Sequence, residues 1–564
     1  MEAISGTYAH RLLALAARRP LMSLAALCLC LWLPTIVALP PLDRDESRFA
    51  QSSKQMQESG DFVDIRFGDE PRYKKPVGIY WLQAATTEVA GLGARDRIWT
   101  YRLASLIGGI GAVWLTFWSG RAFASRETAL LGAGLLAATL LLSAEASIAT
   151  TDAVLLTCTL GAQFALLRAY LSAHDTGKTL PTAAVLGGWA ALGVGILVKG
   201  PVTPAMCAVT IAALSLWDWD VRWLSRLRPV LGVTIVALIV APWLIAIGIE
   251  SHGQFFQQSL GIDFAAKLAG GQETHGAPPG YYLALVTMAF WPATIFLLPS
   301  LRDVVGRRRD RATRFLLAWA GGVWLVLEFV PTKLPHYILP AYPALALLAA
   351  LWVERAKDDR LGSHGWCIAG LAQFGLGLAI LVTGAALLPF RYGNGVGPIT
   401  IAVLVASLAT GVLALAMCWH GRLGSASAAA IISALVLHAA LAIDGSRHLD
   451  GLWVSPRLAS IVARERRPGD PPEVAAGFAE PSLVFLLGTR TRLCDATHAA
   501  DLASRWGGIA VIQDSEREAF LERLTQLGSK ASPKGSVTGL NYSRGRKVEV
   551  TVYRVLRPRA GPGG

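Results

Sequence analysis

Apolar runs long enough to cross a membrane recur along most of this chain, and they leave it little choice of fold. Runs of about 17 to 25 residues stand near 20–39, 101–121, 128–146, 150–171, 181–198, 201–217, 228–250, 281–300, 314–331, 335–353, 364–389, 398–418 and 424–444. Inside hydrocarbon every backbone N–H and C=O must be bonded within the segment, so runs of this length and composition read as helices. With 53% hydrophobic and 16% charged residues, the chain is too apolar for an ordinary soluble protein. An all-α polytopic membrane domain of about 13 transmembrane helices is expected. The first run follows Arg11, Arg18 and Arg19, is long enough to span, and has no small-residue cleavage site after it; it is expected to be retained as a helix.

The net charge of +13 invites a nucleic-acid reading, but its distribution argues against one. Alternate loops carry Arg121 and Arg126, Lys178, Arg222 to Arg228, the Arg302 to Arg314 cluster, Arg355 to Arg360, and Arg422, the bias expected of cytoplasmic loops. An odd number of spans then puts Pro40–Thr100, Glu145–Asp152, Lys199–Thr203, Glu250–Gly280, Pro331–His336, Arg391–Pro398 and everything from about Arg447 on the outer face. Within the first of these loops, residues 76–92 suit a helix at the interface, with Tyr80 and Trp81 at headgroup level. The composition changes after 445. Residues 1–445 read as the membrane domain with its long outer loop 40–100, and 446–564 as a small α/β domain in which GFAEPSLVFLLG, GGIAVI and KVEVTVYRVL are strands and EREAFLERLTQL a helix. Six of the seven cysteines lie in or beside apolar runs, which leaves no disulfide framework and no zinc-ligand spacing.

Polar chemistry concentrates on that outer face. Asp43, Asp45, Glu46 and Arg48 follow the first span, and Arg72, Tyr73, Lys74 and Lys75 stand in the same loop. The acids fit a solvated helix start equally well, but cations on an outer loop run against the topological bias and suit a phosphate. Glu145 and Asp152 bracket a tight connection; Asp152 is either a helix cap or an acid facing a cavity. Lys199, Lys333, His336 and Tyr337 end other spans on this face. Each lysine alone fits snorkelling; together they describe a polar pocket suited to a lipid phosphate. His275, in a Gly/Pro-rich loop, reads more simply as a loop residue than a ligand. No phosphate-loop, dinucleotide-binding or nucleophile-elbow motif is present.

DESRFA after the first span, RYKKPVGIYW, TTDAV, LVKGP, HGAPPGYY, TKLPHYILP and AEPSLVFLLG together resemble the polyprenyl-phosphate-sugar-dependent glycosyltransferases of the protein O-mannosyltransferase superfamily. Within it the likeness is greatest to the bacterial enzymes that move 4-amino-4-deoxy-L-arabinose to lipid A. The resemblance implies a GT-C membrane fold with periplasmic surface helices and a periplasmic α/β domain, in the bacterial inner membrane, with the site facing the periplasm. It implies an undecaprenyl-phosphate sugar donor, a lipid A acceptor, contact with membrane lipid, reduced outer-membrane charge and polymyxin resistance. It carries Asp45, Asp152 and Glu46 over as catalytic residues, and Arg48, Lys75, Tyr73, Lys199, Lys333, Tyr337, Tyr342, His275 and Glu480 as substrate-binding ones. The chain departs from the pattern in FFQQSLGIDFAAKL, which lacks a histidine, so any histidine role in that loop rests on His275. No cofactor is required; a divalent metal is compatible but unsupported by any ligand motif. Transfer of another sugar, or transfer to protein hydroxyls, is the alternative, and a transporter of lipid-linked sugar the third reading, disfavoured because the charges cluster at one face instead of lying deep in the spans.

Overall fold

The computed structural model describes residues 16–174, 180–259, 276–356, 365–443 and 445–557. His275 lies outside them. Every apolar run is helical, but the thirteen expected spans are not thirteen straight rods. Among the described residues ten helical spans are long and apolar enough to cross a membrane, making this a multi-pass membrane protein. An eleventh is the pair Arg126–Ala138 and Leu140–Ser147, bent by 64° where Thr139 takes extended backbone angles. The Leu140 amide freed by that bend donates to the Trp291 carbonyl at 2.9 Å, as hydrocarbon demands. The run at 281–300 is split into Tyr281–Ala289 and Thr294–Arg307, with Pro292, which has no amide to give, in the break. The last, Val202–Asp218, is a shorter apolar helix.

The two ends of the bundle differ in chemistry. At one, Arg314 pairs with Asp218 and Arg355 reaches Asp303 at 3.0 Å. The helix Arg311–Phe329 climbs from there to the other end, where Thr332, Lys333 and a 3-10 stretch, Pro335–Ala341, precede the helix Tyr342–Arg355. That irregular stretch is anchored by Trp319 Nε1 donating to the Pro340 carbonyl at 2.9 Å. Non-helical backbone at this depth is tolerated where it lines a cavity, and it does.

The loop between the first two spans folds into two helices, Asp45–Ser59 and Gly78–Ala90, with the small hairpin β1 (Arg66–Phe67) and β2 (Glu70–Pro71) between them. Tyr80, expected at headgroup level, is instead fully buried beneath Phe49; Trp81 is partly exposed and donates to the Phe62 carbonyl at 2.8 Å. Gly78 determines how this segment sits. A Cβ there would stand 2.8 Å from the carbonyl group of Leu197, so glycine lets the backbone beyond Lys75 rest on the end of the helix that carries Lys199.

The C-terminal part is a mixed sheet with strands β3 (Val474–Ala476), β4 (Arg492–Cys494), β5 (Gly508–Gln513), β6 (Lys530–Asn541) and β7 (Arg546–Leu556) in the order β4–β3–β5–β7–β6. β3 is parallel to both neighbours, and β7 is antiparallel to β5 and β6. Apolar side chains fill both faces of the sheet. AEPSLVFLLG, expected as a strand, is mainly a helix, Pro481–Leu487, with proline at its first turn. A short wholly apolar run carries no period to separate the two states, and proline is preset for a helix start. This helix docks the sheet onto the membrane domain: Phe485 packs edge-on against Tyr101 in a small core with Ala50, Ile98 and Ala149.

Candidate active site

Two cavities meet at the end of the bundle that these pieces cover. The first, about 500 Å³, is walled by apolar side chains such as Leu197, Met206, Val240, Leu244, Phe255 and Val326. The second, about 820 Å³, is polar and runs from Asp152 and Lys199 outward past Asp45 and Arg48 to Glu480 and Arg544 of the C-terminal domain. Six residues, Lys74, Lys75, Asp152, Lys199, His336 and Tyr337, line both. An apolar chamber whose end opens onto a cluster of cations matches a lipid tail with an anionic head.

The shared wall is held together by charge. Lys199 Nζ donates to Asp152 Oδ1 at 2.6 Å and stands 5.6 Å from the centre of the Tyr337 ring. The second Asp152 oxygen accepts from Thr151 Oγ1 at 3.1 Å. His336 sits between two acids, with Nε2 4.0 Å from Asp152 and Nδ1 3.8 Å from Glu145; Glu145 accepts from Thr150 Oγ1 at 2.9 Å. Asp152 is the first residue of its helix, so it is both the helix start and a cavity acid, the two readings the sequence left open.

The two acids of the DE pair part company. Asp45 opens the helix Asp45–Ser59, its side chain is 70% exposed, and its nearest recorded ion partner, Arg48, is 3.9 Å away. It faces the polar cavity. Glu46, one residue on, turns inward and is 1% exposed. Its Oε1 accepts from Arg102 Nε at 2.7 Å and the Ala149 amide at 2.8 Å, and its Oε2 from Arg102 Nη2 at 2.8 Å and the Leu42 amide at 2.9 Å. Four donors fill a carboxylate's capacity. Arg102 in turn donates to the Ile36, Leu39 and Pro40 carbonyls, so this pair ties the acidic helix to the end of the first span. Glu46 touches the cavity, but all four of its acceptor positions are taken by these N–H donors, an arrangement that suits a positioning role.

Arg48, Lys75, Lys199, Tyr337 and Glu480 all line the polar cavity. Glu480 is buried and accepts from Asn541 Nδ2 at 2.7 Å. Three others do not line it. Lys333 is buried, and its ammonium gives hydrogen bonds to the Leu327, Glu328 and Val330 carbonyls at 3.1, 2.7 and 3.0 Å. It closes the end of the Arg311–Phe329 helix with all three of its donors. The Tyr73 hydroxyl donates to Asp64 at 2.8 Å, and burial with that hydrogen bond pushes its phenol up to about 12. Tyr342 is buried edge-on against Phe290. The described residues hold one acidic trio close enough to share a cation, Asp61, Asp64 and Glu250, but Asp64 already serves Tyr73 and Arg66.

Arg44, Arg102 and Arg544 were not singled out from sequence. Arg102 carried a readable signal: a charge inside an apolar run needs a partner. Arg44 and Arg544 carried none, since their neighbourhood exists only once the C-terminal domain is docked. There Asp43 accepts from Ser482, its amide donates to the Tyr542 hydroxyl at 2.7 Å, and Arg44 donates to the Ser543 carbonyl.

A helical membrane bundle with its polar site built from the loop after the first span, under a C-terminal α/β domain, is the architecture of the GT-C membrane glycosyltransferases. The family model for dolichyl-phosphate-mannose-protein mannosyltransferases matches residues 19–253. The undecaprenyl phosphate-alpha-4-amino-4-deoxy-L-arabinose arabinosyl transferase of Pectobacterium carotovorum is 27% identical over 63% of this chain. The chain spans 63% of the length of that relative. Crystal structures of ArnT from Cupriavidus metallidurans, in the apo state and bound to undecaprenyl phosphate, share the fold with a TM-score of 0.74, at 20% and 21% identity. They cover 95% and 94% of this chain, and 98% and 97% of theirs. The chain is thus similar in sequence to an aminoarabinose transferase and, over residues 19–253, to the protein mannosyltransferase model, and it shares its fold with ArnT.

Proposed function

We propose that this protein moves 4-amino-4-deoxy-L-arabinose from undecaprenyl phosphate to a phosphate of lipid A, in the bacterial inner membrane, with its site facing the periplasm. The observation that carries the reading is the cation-bearing wall shared by an apolar and a polar cavity. The donor's prenyl chain lies in the apolar cavity, its phosphate meets Lys75 and Lys199, and its sugar projects into the polar one. An acceptor phosphate oxygen bonds to C1 of the sugar while the bond from C1 to the donor phosphate breaks, and the electron pair leaves on undecaprenyl phosphate. A phosphate acceptor is already an anion, so no general base is needed to prepare it. Asp45 then acts by position and charge, orienting the substrates and meeting the sugar's ammonium together with Asp152. Lys75, Lys199 and Arg48 take up the charge of the departing phosphate, and Tyr337 adds a neutral donor. Glu46 positions the helix that carries Asp45. In this scheme the protein's own cations suffice, and no metal or cofactor is given a step. Two relations support the choice of sugar and carrier: the relative's name and the fold shared with a structure holding undecaprenyl phosphate. Loss of negative charge from lipid A would bring polymyxin resistance.

The test is the mass of lipid A from cells with and without the gene. Addition of an aminopentose that disappears with Asp45→Asn is expected. Unchanged lipid A alongside newly glycosylated protein would replace this reading with the protein-acceptor one. Vesicles in which the purified protein flips labelled lipid-linked sugar without transferring it would point to a transporter.

A further inference from the structure

The two cavities are not equivalent in what encloses them. The end of the polar cavity shared with the apolar one is made entirely by the membrane domain, but its far end is closed by the C-terminal domain through Ala479, Glu480, Ser543 and Arg544. Ser543 and Arg544 lie in the turn between β6 and β7, the tip of a long hairpin. That tip is fixed over the cavity from below. The Asp43 amide donates to the Tyr542 hydroxyl at 2.7 Å, and Arg44 donates to the Ser543 carbonyl. Arg44 itself has a φ of 63°, a left-handed conformation uncommon for a side chain with a Cβ. The result is two guanidinium groups, Arg44 and Arg544, at the cavity's outer end. Arg544 Nε stands 3.8 Å from Glu480 Oε1, too far for a hydrogen bond, with its side chain 47% exposed.

We propose that Arg544, carried by the hairpin tip and seconded by Arg44, binds the anionic phosphate of the acceptor and so sets acceptor affinity, while the donor is held by Lys75 and Lys199 at the opposite end. This rests on the functional reading above. A donor whose tail fills the apolar cavity occupies the shared wall, so the acceptor enters from the remaining end. There a phosphomonoester meets a planar donor group matched to it. The carboxylate of Glu480, held by Asn541, keeps Arg544 turned inward when the site is empty of acceptor. The C-terminal domain is then part of the binding site and not an appendage to it.

Steady-state transfer by the purified full-length protein, with lipid A and labelled undecaprenyl-phosphate aminoarabinose varied in turn, tests this. Arg544→Gln should raise the KM for lipid A by about ten-fold, as expected for loss of a half-exposed charge contact, with the donor KM and the kcat at saturating lipid A within two-fold of wild type. Arg544→Lys, which keeps the charge, should recover most of the loss. A purely structural role would move kcat or the donor KM as well, and a lipid A KM within two-fold of wild type in Arg544→Gln overturns the inference outright. Wild-type protein that transfers nothing to lipid A would remove the functional reading and this inference with it. Wild-type transfer with an unaltered Arg544→Gln removes this inference alone.

Discussion

Replacing Glu46 with glutamine separates a structural acid from a chemical one. The substitution keeps the volume but removes the charge opposite a guanidinium that is fully buried. It also turns one acceptor into an amide that faces a donor, because all four groups around the carboxylate are N–H donors. With charge centres about 4 Å apart and an effective dielectric of about 20, the lost attraction is about 4 kcal/mol. That agrees with the roughly 3–5 kcal/mol typical of breaking a buried pair from one side. A bundle of this size loses roughly 2 °C per kcal/mol, so the melting temperature in detergent should fall by roughly 5–10 °C by circular dichroism. Protein kept cold and folded should retain turnover within a few-fold of wild type. Adding Arg102→Met should recover part of the stability, since an apolar replacement for the whole pair leaves no orphaned charge. Unchanged melting with turnover down by about a hundred-fold or more would mean that Glu46 does chemistry, and the positioning role would be wrong.

The other acid and the lysines give contrasting outcomes. Asp45→Asn and Lys75→Ala should abolish transfer with melting close to wild type; near-normal activity in either would remove it from the site. Lys333→Met should destabilise by about 1–3 kcal/mol through loss of hydrogen bonds from a charged donor and leave the donor KM unchanged, whereas a ten-fold rise in donor KM in a stable protein would show that it reaches the phosphate. Asp43 makes the docking of the C-terminal domain pH-dependent. Burial is the main cause that lifts its carboxyl to about 6, with Glu480 adding to it and Ser482 and Tyr542 opposing. Its folded pKa is above its unfolded one, so its contribution is full below about pH 4 and is lost as pH rises through about 6, to the extent of about 3 kcal/mol. Protection of the hairpin amides from hydrogen exchange should fall over that window in wild type and not in Asp43→Asn; protection that rises with pH would refute the assignment.

Local signals carried the membrane domain well, because hydrocarbon allows few solutions and each span announces itself by length and composition. The exception at Thr139 rests on a partner distant in sequence, the Trp291 carbonyl that receives the Leu140 amide, whereas the break at 290–293 has a local sign in Pro292. Site residues followed the same rule. Asp45, Asp152, Lys75 and Lys199 were legible because each is a charge at the end of an apolar run on one face. That pattern could not separate Lys199, which turns into the cavity, from Lys333, which turns back onto its own helix end: the two look alike until the carbonyls around them are placed. Nor could it separate Asp45 from Glu46, adjacent residues of one type whose fates are decided by which way a helix faces. Arg544 lies 499 residues past Asp45 in the chain, and no local pattern could bring it there.

In the transfer proposed above, charge on the shared wall bears on how the step is accelerated. Lys74, Lys75 and Lys199 against Asp152 give that wall a formal excess of two positive charges, counting His336 as neutral. The donor's phosphodiester carries one negative charge. The undecaprenyl phosphate that departs is a monoester and carries up to two, the second developing as the bond to C1 breaks. The wall is therefore better matched to the leaving group than to the bound donor, and the difference appears in the transition state, where it accelerates the step. The ion pair between Lys199 and Asp152 has a place in this balance. It holds the lysine at the junction of the two cavities, and it lowers the wall's formal excess from three positive charges to two.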